Sequence, residues 1–295
     1  MNILSVSDIS KSYDKKKLAV QNLSFELDVG DFFGFLGPNG AGKSTTISLL
    51  SSLITPDIGK ISFQGENIIN IRKKYLSNVG FIFQDPPLDR NATVKSNLIF
   101  AGTLYNLSKT EIENNYLKLL KNFKLLHLLD KKILKLSGGE KRIIDICRAL
   151  IHDPKILFMD EPTTGLDPVN RLRIWDFINN LRKKSKVTIF LTTHYMDEAS
   201  KCSKICFIKN GRIIKVDTPD KFLEDSFELV VQFGGLEDNL FNQIKRLLNN
   251  GLKVGNNSIF GLNDESLLSQ VKKISSEYTV RKTNLNDVFL WLTNN

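Results

Sequence analysis

The first 220 residues alternate two patterns of apolar positions. Continuous apolar runs are typical of buried strands, and apolar residues spaced three and four apart are typical of helices. The predicted strands are Ile3–Val6, Leu23–Leu27, Phe32–Leu36, Val79–Phe83, Ile156–Met159, Val187–Thr192 and Ile205–Ile208. The predicted helices are Lys43–Leu53, Gly139–His152 and Pro168–Lys183, with a mainly helical stretch over residues 93–130. This alternation predicts an α/β domain in which helices pack on a sheet.

The pattern changes after Thr218-Pro219-Asp220, a sequence typical of a break between elements. Beyond it the predicted strands are Phe227–Phe233, Ser258–Leu262 and Tyr278–Lys282, and the predicted helices cover 238–249, 265–276 and 284–292. We therefore predict one domain over residues 1–220 and a small accessory α+β domain over residues 221–295.

The composition is that of an ordinary globular chain of 295 residues, 41% of them hydrophobic and 25% charged. No apolar run reaches the roughly 18 residues that span a bilayer, and the N-terminus lacks the basic and apolar regions of a signal peptide. We therefore expect a cytoplasmic protein. Cys202 and Cys206, with His194 nearby, could ligate a metal, but a second ligand pair is missing. Together with Cys147 they are predicted to be small buried thiols.

The net charge of +9 is unevenly distributed. Residues 1–220 hold 33 basic and 23 acidic side chains, whereas residues 221–295 hold eight basic and nine acidic ones. A nucleotide, a nucleic acid, an acidic lipid surface or a general abundance of lysine would each account for the basic excess.

A glycine-rich segment lies between the predicted strand Phe32–Leu36 and the predicted helix that follows it. The glycines let successive N–H groups converge, and the helix N-terminus adds unpaired N–H groups, so the segment is suited to the β- and γ-phosphates of a nucleotide. Lys43 would supply positive charge to these phosphates, and Ser44 would offer a hydroxyl to Mg²⁺. The segment satisfies the pattern G-x-x-x-x-G-K-[ST] and consists of Gly37, Pro38, Asn39, Gly40, Ala41, Gly42, Lys43, Ser44 and Thr45.

Two adjacent carboxylates, Asp160 and Glu161, follow the apolar run Ile156–Met159. Asp160, at the end of a buried strand, is placed to hold the water shell of Mg²⁺. Glu161 is placed to act as a general base on a water near the γ-phosphate. These two segments leave open a GTPase, a kinase, a helicase or a transport ATPase.

The segment Leu136-Ser137-Gly138-Gly139-Glu140 narrows that choice. A serine and two glycines before a helix form a second phosphate-binding nest. Since an ATP molecule has a single γ-phosphate, we infer that the two nests serve different nucleotides in a dimer. The segment resembles the signature of the ATP-binding cassette (ABC) family, where many members carry Gln in place of Glu140. This departure concerns the family's side-chain contact to the ribose from the opposite subunit and leaves the backbone nest unchanged.

The resemblance to this family covers residues 3–220 and implies a RecA-like core, an antiparallel β subdomain and a helical subdomain over about 85–150. It also implies four roles outside the two nests. By resemblance, Tyr13 stacks on adenine, Gln84 contacts Mg²⁺ and the attacking water and senses the membrane subunit, Leu166-Asp167 contacts the opposite monomer, and His194 contacts the γ-phosphate.

A narrower resemblance links two segments to exporter ATPases of the daunorubicin-resistance type. The first is residues 84–89, QDPPLD, with Thr93-Val94 and Asn97-Leu98. The second is residues 283–293, TNLNDVFLWLT, in which Asn286 stands where Glu is common. Two histidines match no motif, so we expect His127 and His152 to be ordinary surface residues.

The resemblance implies the ATP-hydrolysing subunit of a membrane exporter, with ATP and Mg²⁺ as cofactors. Its partners would be a separate integral membrane permease and a second cassette, as a homodimer or a heterodimer, on the inner face of the cell membrane. One rival is a soluble ABC-type ATPase acting on ribosomes or nucleic acid, but the basic excess is too diffuse for a nucleic-acid groove. The other rival, a P-loop GTPase, would need an Asn-Lys-x-Asp segment, which the sequence lacks.

Overall fold

A computed structural model describes residues 1–14, 17–184, 186–275 and 277–294, without the side chains of Lys184 and Glu265. The chain forms two compact units. Met1–His194 and Cys206–Lys215 form the first, and Tyr195–Ile205 with Val216–Asn295 forms the second. The domain boundary at residue 220 and the helical subdomain over 85–150 stay predictions.

The elements up to residue 217 include every strand and helix that the pattern predicted there. The strands are β1 (Asn2–Asp14), β2 (Lys17–Asp28), β3 (Phe32–Leu36), β4 (Ile58–Phe63), β5 (Glu66–Asn67), β6 (Val79–Ile82), β7 (Ile156–Asp160), β8 (Thr188–Thr193), β9 (Lys204–Lys209) and β10 (Arg212–Asp217). The helices are α1 (Lys43–Leu50), α2 (Arg72–Leu76), α3 (Val94–Leu104), α4 (Lys109–Asn122), α5 (Gly138–Leu150), α6 (Pro168–Lys184) and α7 (Met196–Ala199).

Several of these elements differ from the prediction. The helical stretch 93–130 divides into α3 and α4, because Ser108 begins a new helix with a capping box to Glu111. The pattern missed β4 and β10, whose side chains are half exposed and therefore give no continuous apolar run. It also missed the short elements β5, α2 and α7.

Two sheets face each other across an aromatic core in the first unit. One sheet is antiparallel, with the order β2-β1-β4-β5, and the other has the order β10-β9-β3-β8-β7-β6. Strands β3, β8, β7 and β6 pair in parallel, and every residue of β3, β7 and β8 is buried. Phe25 of β2 stacks on Phe33 of β3 with 5.5 Å between ring centroids and on Phe190 of β8 at 5.8 Å. The parallel strands are thus covered on one face by the antiparallel sheet.

The second unit contains a split βαβ arrangement. Its sheet has the order β12-β13-β11-β14, with all pairs antiparallel, and this order with two crossing helices is the ferredoxin-like topology. One sheet face packs on α9 and α10, and the other on Trp291 of α11. The elements are α8 (Pro219–Glu224), β11 (Leu229–Gly234), α9 (Asp238–Leu248), β12 (Leu252–Val254), β13 (Asn257–Leu262), α10 (Leu268–Ile274), β14 (Thr279–Lys282) and α11 (Leu285–Asn294).

Here too the predicted strands and helices are present, with β12 and α8 missed. The helix predicted over 265–276 is a 3-10 turn at Glu265–Leu267 followed by α10. Its predicted last residue, Ser276, lies outside the described residues.

The prediction of small buried thiols is confirmed for Cys147, Cys202 and Cys206, which are free and buried. The described residues include no group of three or more His, Cys, Asp and Glu side chains placed to hold a metal ion. No helix in the described part of the chain has both the length and the apolarity for a membrane span.

The expectation that His152 is an ordinary surface residue is wrong. Its ring stacks on Tyr105 with 3.5 Å between centroids, and Nε2 lies 3.0 Å from the carbonyl oxygen of Val79. Burial lowers the pKa of His152 to about 4. His127, in contrast, is exposed as expected. This difference could not be predicted from the neighbouring residues, because both histidines lie beside leucine or isoleucine.

We predict that a buried ion pair is required for the stability of the second unit. Asp287 is fully buried, and its two oxygens accept hydrogen bonds from Nη1 and Nη2 of Arg281 at 2.6 and 2.7 Å. Arg281→Leu leaves this carboxylate without its cation, which costs about 3 kcal/mol. Hydrogen exchange of β11 and β14 amides in the full chain should rise about a hundredfold. Arg246→Leu, at an exposed position in α9, is the control, and equal exchange in both variants would contradict the prediction.

We also predict that His152 makes stability depend on pH between 6.5 and 4. In this window the unfolded chain protonates this histidine, whose ordinary pKa is about 6.5, while the folded chain keeps it neutral. Stability therefore falls as the pH falls. His152→Gln removes this proton linkage, so unfolding by urea at pH 7 and pH 5 should show a loss smaller by about 1–2 kcal/mol. His127→Gln should keep the wild-type loss, and parallel losses in all three proteins would show that His152 is not held neutral.

Candidate functional site

The glycine-rich segment 37–45 connects the buried strand β3 to α1. Gly40 and Gly42 adopt left-handed backbone conformations, with φ of 77° and 107°. A Cβ atom at Gly42 would lie 2.6 Å from the carbonyl oxygen of Ala19, and one at Gly37 would lie 2.4 Å from that of Ile208. The neighbouring backbone therefore excludes side chains at these positions, and the loop can direct its N–H groups inward.

Lys43, the first residue of α1, is almost completely buried beneath this loop. Its Nζ atom donates to the carbonyl oxygens of Gly37 at 2.9 Å and Pro38 at 3.3 Å, and lies 3.5 Å from Oε1 of Glu161. These contacts keep the ammonium group at the mouth of the loop, where the charge of a bound phosphate would replace part of its interaction with the protein.

Asp160, at the carboxyl end of β7, is also buried. Its Oδ1 accepts a hydrogen bond from Thr192 Oγ1 at 2.5 Å. Burial raises the pKa of Asp160, and hydrogen bonds from Thr192 and Ser44 together with the Lys43 charge oppose that rise. Ser44 is thus close enough to Asp160 to influence its pKa. A hydroxyl and a carboxylate are the hard oxygen ligands that Mg²⁺ prefers, so these residues fit the ion.

Glu161 occupies a strained position beside Asp160. Its φ of 44° is in the left-handed region, which is unfavourable for glutamate, and its N–H donates to Thr192 Oγ1 at 3.0 Å. Oε2 accepts from Thr164 Oγ1 at 3.0 Å and lies 3.2 Å from His194 Nδ1. The carboxylate is therefore fixed between a cation and an imidazole, in a geometry suited to a base that receives a proton from water.

A cavity of about 410 Å³ connects these groups, and it is lined by residues of the loop together with Gln84, Glu161, Thr164 and His194. Gln84 follows β6 and is exposed, and Tyr13 is 67% exposed with its hydroxyl 3.4 Å from Thr45 Oγ1. The structure thus places together the sequence-predicted residues of the first nest, both carboxylates, Gln84, His194 and Tyr13.

The second nest, Ser137–Gly139, contributes none of the described residues that line this cavity. Ser137 is the N-cap of α5, and its hydroxyl accepts from the N–H of Glu140 at 3.3 Å, while its own N–H donates to Glu140 Oε2 at 2.8 Å. Partial burial raises the pKa of Glu140, but the hydrogen bonds from Ser137 and the charge of Lys131 lower it by more. Ser137 and Gly138 are exposed, and among the described residues neither lines the cavity that holds Lys43.

Asp167 lies close to the second nest and caps α6. Its Oδ1 accepts from the N–H of Asn170 at 3.0 Å, and this contact lowers the pKa of Asp167. A Cβ atom at Gly139 would lie 2.2 Å from Oδ1 of the same Asn170. The starts of α5 and α6 therefore pack closely, and a side chain at residue 139 would displace that of Asn170.

Sequence reasoning missed Thr192 and Thr164, which hold the two carboxylates. The signal for Thr192 was present, since Thr192-Thr193-His194 ends an apolar run at the same sheet edge as Asp160. Thr164 lies in a loop whose composition carries no comparable signal.

Comparison with known proteins places the chain among nucleotide-binding subunits. Residues 20–164 match the ABC transporter family. The Nod factor export ATP-binding protein I of Neorhizobium galegae is 36% identical over 95% of this chain and 82% of that protein. Its counterpart in Rhizobium sp. (strain N33) is 35% identical over 98% of this chain and 96% of that protein.

A solved structure agrees with the predicted cassette fold. It is cbiO1 from Clostridium perfringens, part of the ABC transporter complex cbiONQ, with a TM-score of 0.70 and 28% identity over 84% of this chain and 96% of that chain. The predicted fold class is therefore confirmed.

Proposed function

Since the chain belongs to the ABC transporter family and is an ATP-binding ATPase, we propose that it powers an exporter whose membrane-spanning part is a separate permease chain. One observation carries the proposal: the carboxylate of Glu161 stands between Lys43 and His194 at the cavity formed by the glycine-rich loop. The names of the two rhizobial relatives, both ATP-binding proteins of Nod factor export, favour export over import.

Each functional residue in or beside the cavity has one task in this proposal. The N–H groups of residues 37–45 and the ammonium of Lys43 bind the β- and γ-phosphates. Glu161 accepts a proton from the attacking water, and His194 orients the γ-phosphate. Tyr13 offers an exposed ring for stacking on adenine. Ser44, Asp160 and Gln84 would hold Mg²⁺, which neutralises charge on the phosphate oxygens.

The site is completed by a second cassette in this proposal. Ser137, Gly138 and Gly139 are a helix N-terminus with an exposed start, and they are separated from the chain's own cavity. In a head-to-tail dimer they face the γ-phosphate bound by the other chain, and Asp167 lies beside them. Glu140 keeps its hydrogen bonds to Ser137 in this arrangement, so it supports the nest and does not reach the ribose.

We propose that the exporter is of the daunorubicin-resistance type, on the basis of two segments. Residues 84–89 and 283–293 resemble ATPases of the daunorubicin-resistance type, and Asp287 of the latter forms the buried pair with Arg281. We place the cassette dimer peripherally on the inner face of the membrane, where the permease binds it and the cargo. We propose that residues 221–295 act in assembly and take no part in the hydrolysis.

We predict that Glu161→Gln abolishes ATP hydrolysis while ATP binding persists. The amide keeps the size of the side chain and its hydrogen bond with Thr164 but accepts no proton, and loss of a positioned base lowers turnover by about 10²–10⁴-fold. Phosphate release and equilibrium binding of ATP measure the two effects. Glu26→Gln, at an exposed position on β2, is the control, and turnover of Glu161→Gln within about threefold of this control would exclude Glu161 as the base.

We predict that two inactive variants complement each other in a mixed dimer. Lys43→Ala damages the first nest and Ser137→Arg damages the second, so each homodimer lacks complete sites. A mixed dimer combines one doubly damaged site with one intact site. In the Glu161→Gln background, it should therefore show ATP-dependent dimer stability that neither parent shows.

The mixed dimer is isolated with two affinity tags, and sedimentation measures association with and without ATP. Circular dichroism of each parent verifies folding. If the mixture fails as both parents fail, the two nests act within one chain and the head-to-tail arrangement is wrong.

A further inference from the structure

The outer edge of β6 is covered by side chains of α5 and of the residues that follow it. Strand β6 is the last strand in the order β10-β9-β3-β8-β7-β6, so alternate carbonyl groups on its outer side have no neighbouring strand to bond. His152 Nε2 lies 3.0 Å from the carbonyl oxygen of Val79, and Arg148 Nη2 donates to that of Phe81 at 2.8 Å. Side chains from α5 and the residues after it thus replace a strand along this edge.

Arg142 continues this row beyond the end of the strand. Its Nη1 donates to the carbonyl oxygen of Phe83 at 2.5 Å and its Nη2 to that of Gln84 at 2.7 Å. The last register pair of β6 joins Ile82 to Met159, so Phe83 and Gln84 lie past the part of the chain that the sheet holds. The guanidinium therefore fixes the backbone of the residue whose side chain enters the nucleotide cavity.

Asp145 stabilises the orientation in which Arg142 contacts these two carbonyl groups. This carboxylate is fully buried between Arg142, whose Nη1 is 3.6 Å from Oδ2, and Arg148, whose Nε donates to Oδ1 at 2.8 Å. Among the described residues Oδ2 accepts no hydrogen bond. Asp145 thus balances the charge of Arg142 while leaving both terminal amines of that arginine for the two carbonyls.

We propose that Arg142 is a positioning residue that ties Gln84 to the second nest through α5. The proposal rests on the proposed function, because Gln84 and Ser137 acquire their roles there. We call the two hydrogen bonds from Arg142 to the carbonyl oxygens of Phe83 and Gln84 the clamp. Arg142 follows Ser137 by five residues, so about 7 Å of helix separates the clamp from the second nest. Gly80 lets α5 pack closely on β6, since a Cβ atom there would lie 2.4 Å from the carbonyl oxygen of Ala149.

In a dimer, the connection between Gln84 and the start of α5 would link the two nucleotide sites. In the head-to-tail arrangement Gln84 belongs to one nucleotide site and Ser137 of the same chain belongs to the other site. A displacement of the backbone at Gln84 is transmitted by Arg142 to the start of α5. The same clamp therefore links the two nucleotide sites, in addition to setting the position of Gln84.

The test compares Arg142→Lys with Arg148→Lys. Both substitutions keep the charge beside Asp145, but an ammonium cannot span the carbonyls of Phe83 and Gln84 with two parallel donors. Arg148 contacts Phe81, which the sheet holds through its pairing with Phe158. We expect Arg142→Lys to lower kcat by about 10- to 100-fold with KM within about threefold, since a small misplacement of a site residue costs this much. Arg148→Lys should keep kcat within about threefold.

A double-variant cycle separates positioning from a merely structural role. If Arg142 acts through Gln84, then Arg142→Lys adds less than about twofold to the loss caused by Gln84→Ala. Losses that multiply, unchanged turnover in Arg142→Lys, or an equal loss in Arg148→Lys would each overturn the proposal. Thermal unfolding accompanies every variant, and Arg142→Gln, which keeps a single donor group, replaces Arg142→Lys if the latter does not fold.

The proposed function fails in a different way. In that case wild-type protein does not hydrolyse ATP, or Glu161→Gln retains turnover, whatever the result at residue 142. A clamp that fails leaves wild-type turnover intact and the Glu161→Gln variant inactive.

Discussion

The nucleotide site depends on how closely backbone approaches backbone around the glycine-rich loop. Gly37 and Gly42 each face a carbonyl oxygen of a neighbouring segment at a distance that no Cβ would tolerate. The loop is therefore packed tightly between the segments at Ala19 and Ile208, and its glycines allow the N–H groups to turn towards a bound phosphate. Lys43 is held against the loop because its ammonium group donates hydrogen bonds to the carbonyl oxygens of Gly37 and Pro38.

The charges of the site are arranged so that none is buried alone. Lys43 lies near Glu161, and Asp160 is held by hydroxyl groups. Burying such charges without partners would cost several kcal/mol per ion. The strained backbone of Glu161 is retained because Thr192, on the neighbouring strand, holds its N–H. The backbone of the proposed general base is thus held by the sheet, and its carboxylate is held by Thr164 in the loop that follows.

Much of this organisation was predictable from the sequence. Phe32–Leu36 and Ile156–Met159 are apolar at every or nearly every position, so they predicted buried strands, and the chemistry that follows each strand then fell at one sheet edge. The half-exposed strands β4 and β10 gave no such signal. Ser137 was predicted to precede a helix, but the start of α4 at Ser108 was missed, although a glutamate three residues later completes a capping box in both cases.

The remaining features depend on contacts distant in sequence. Arg142 and Arg148 look like ordinary polar positions on a helix, and only the edge of β6 gives them a function. His152 was misplaced because its partners, Tyr105 and Val79, are 47 and 73 residues away. Periodicity reports which face of a helix is buried, but it does not identify the carbonyl groups that this face will meet.

In the proposed dimer each nucleotide lies between the first nest of one chain and the second nest of another. Disulfide cross-linking tests it directly, because Cys147, Cys202 and Cys206 are buried and engineered cysteines are then the accessible thiols. Cysteines replace Asn39 and Ser137, both exposed, in a Glu161→Gln background. We expect covalent dimers to form when ATP is present and not to form when it is absent. Monomers alone in the presence of saturating ATP, or a disulfide closed within one chain, would contradict the proposed dimer.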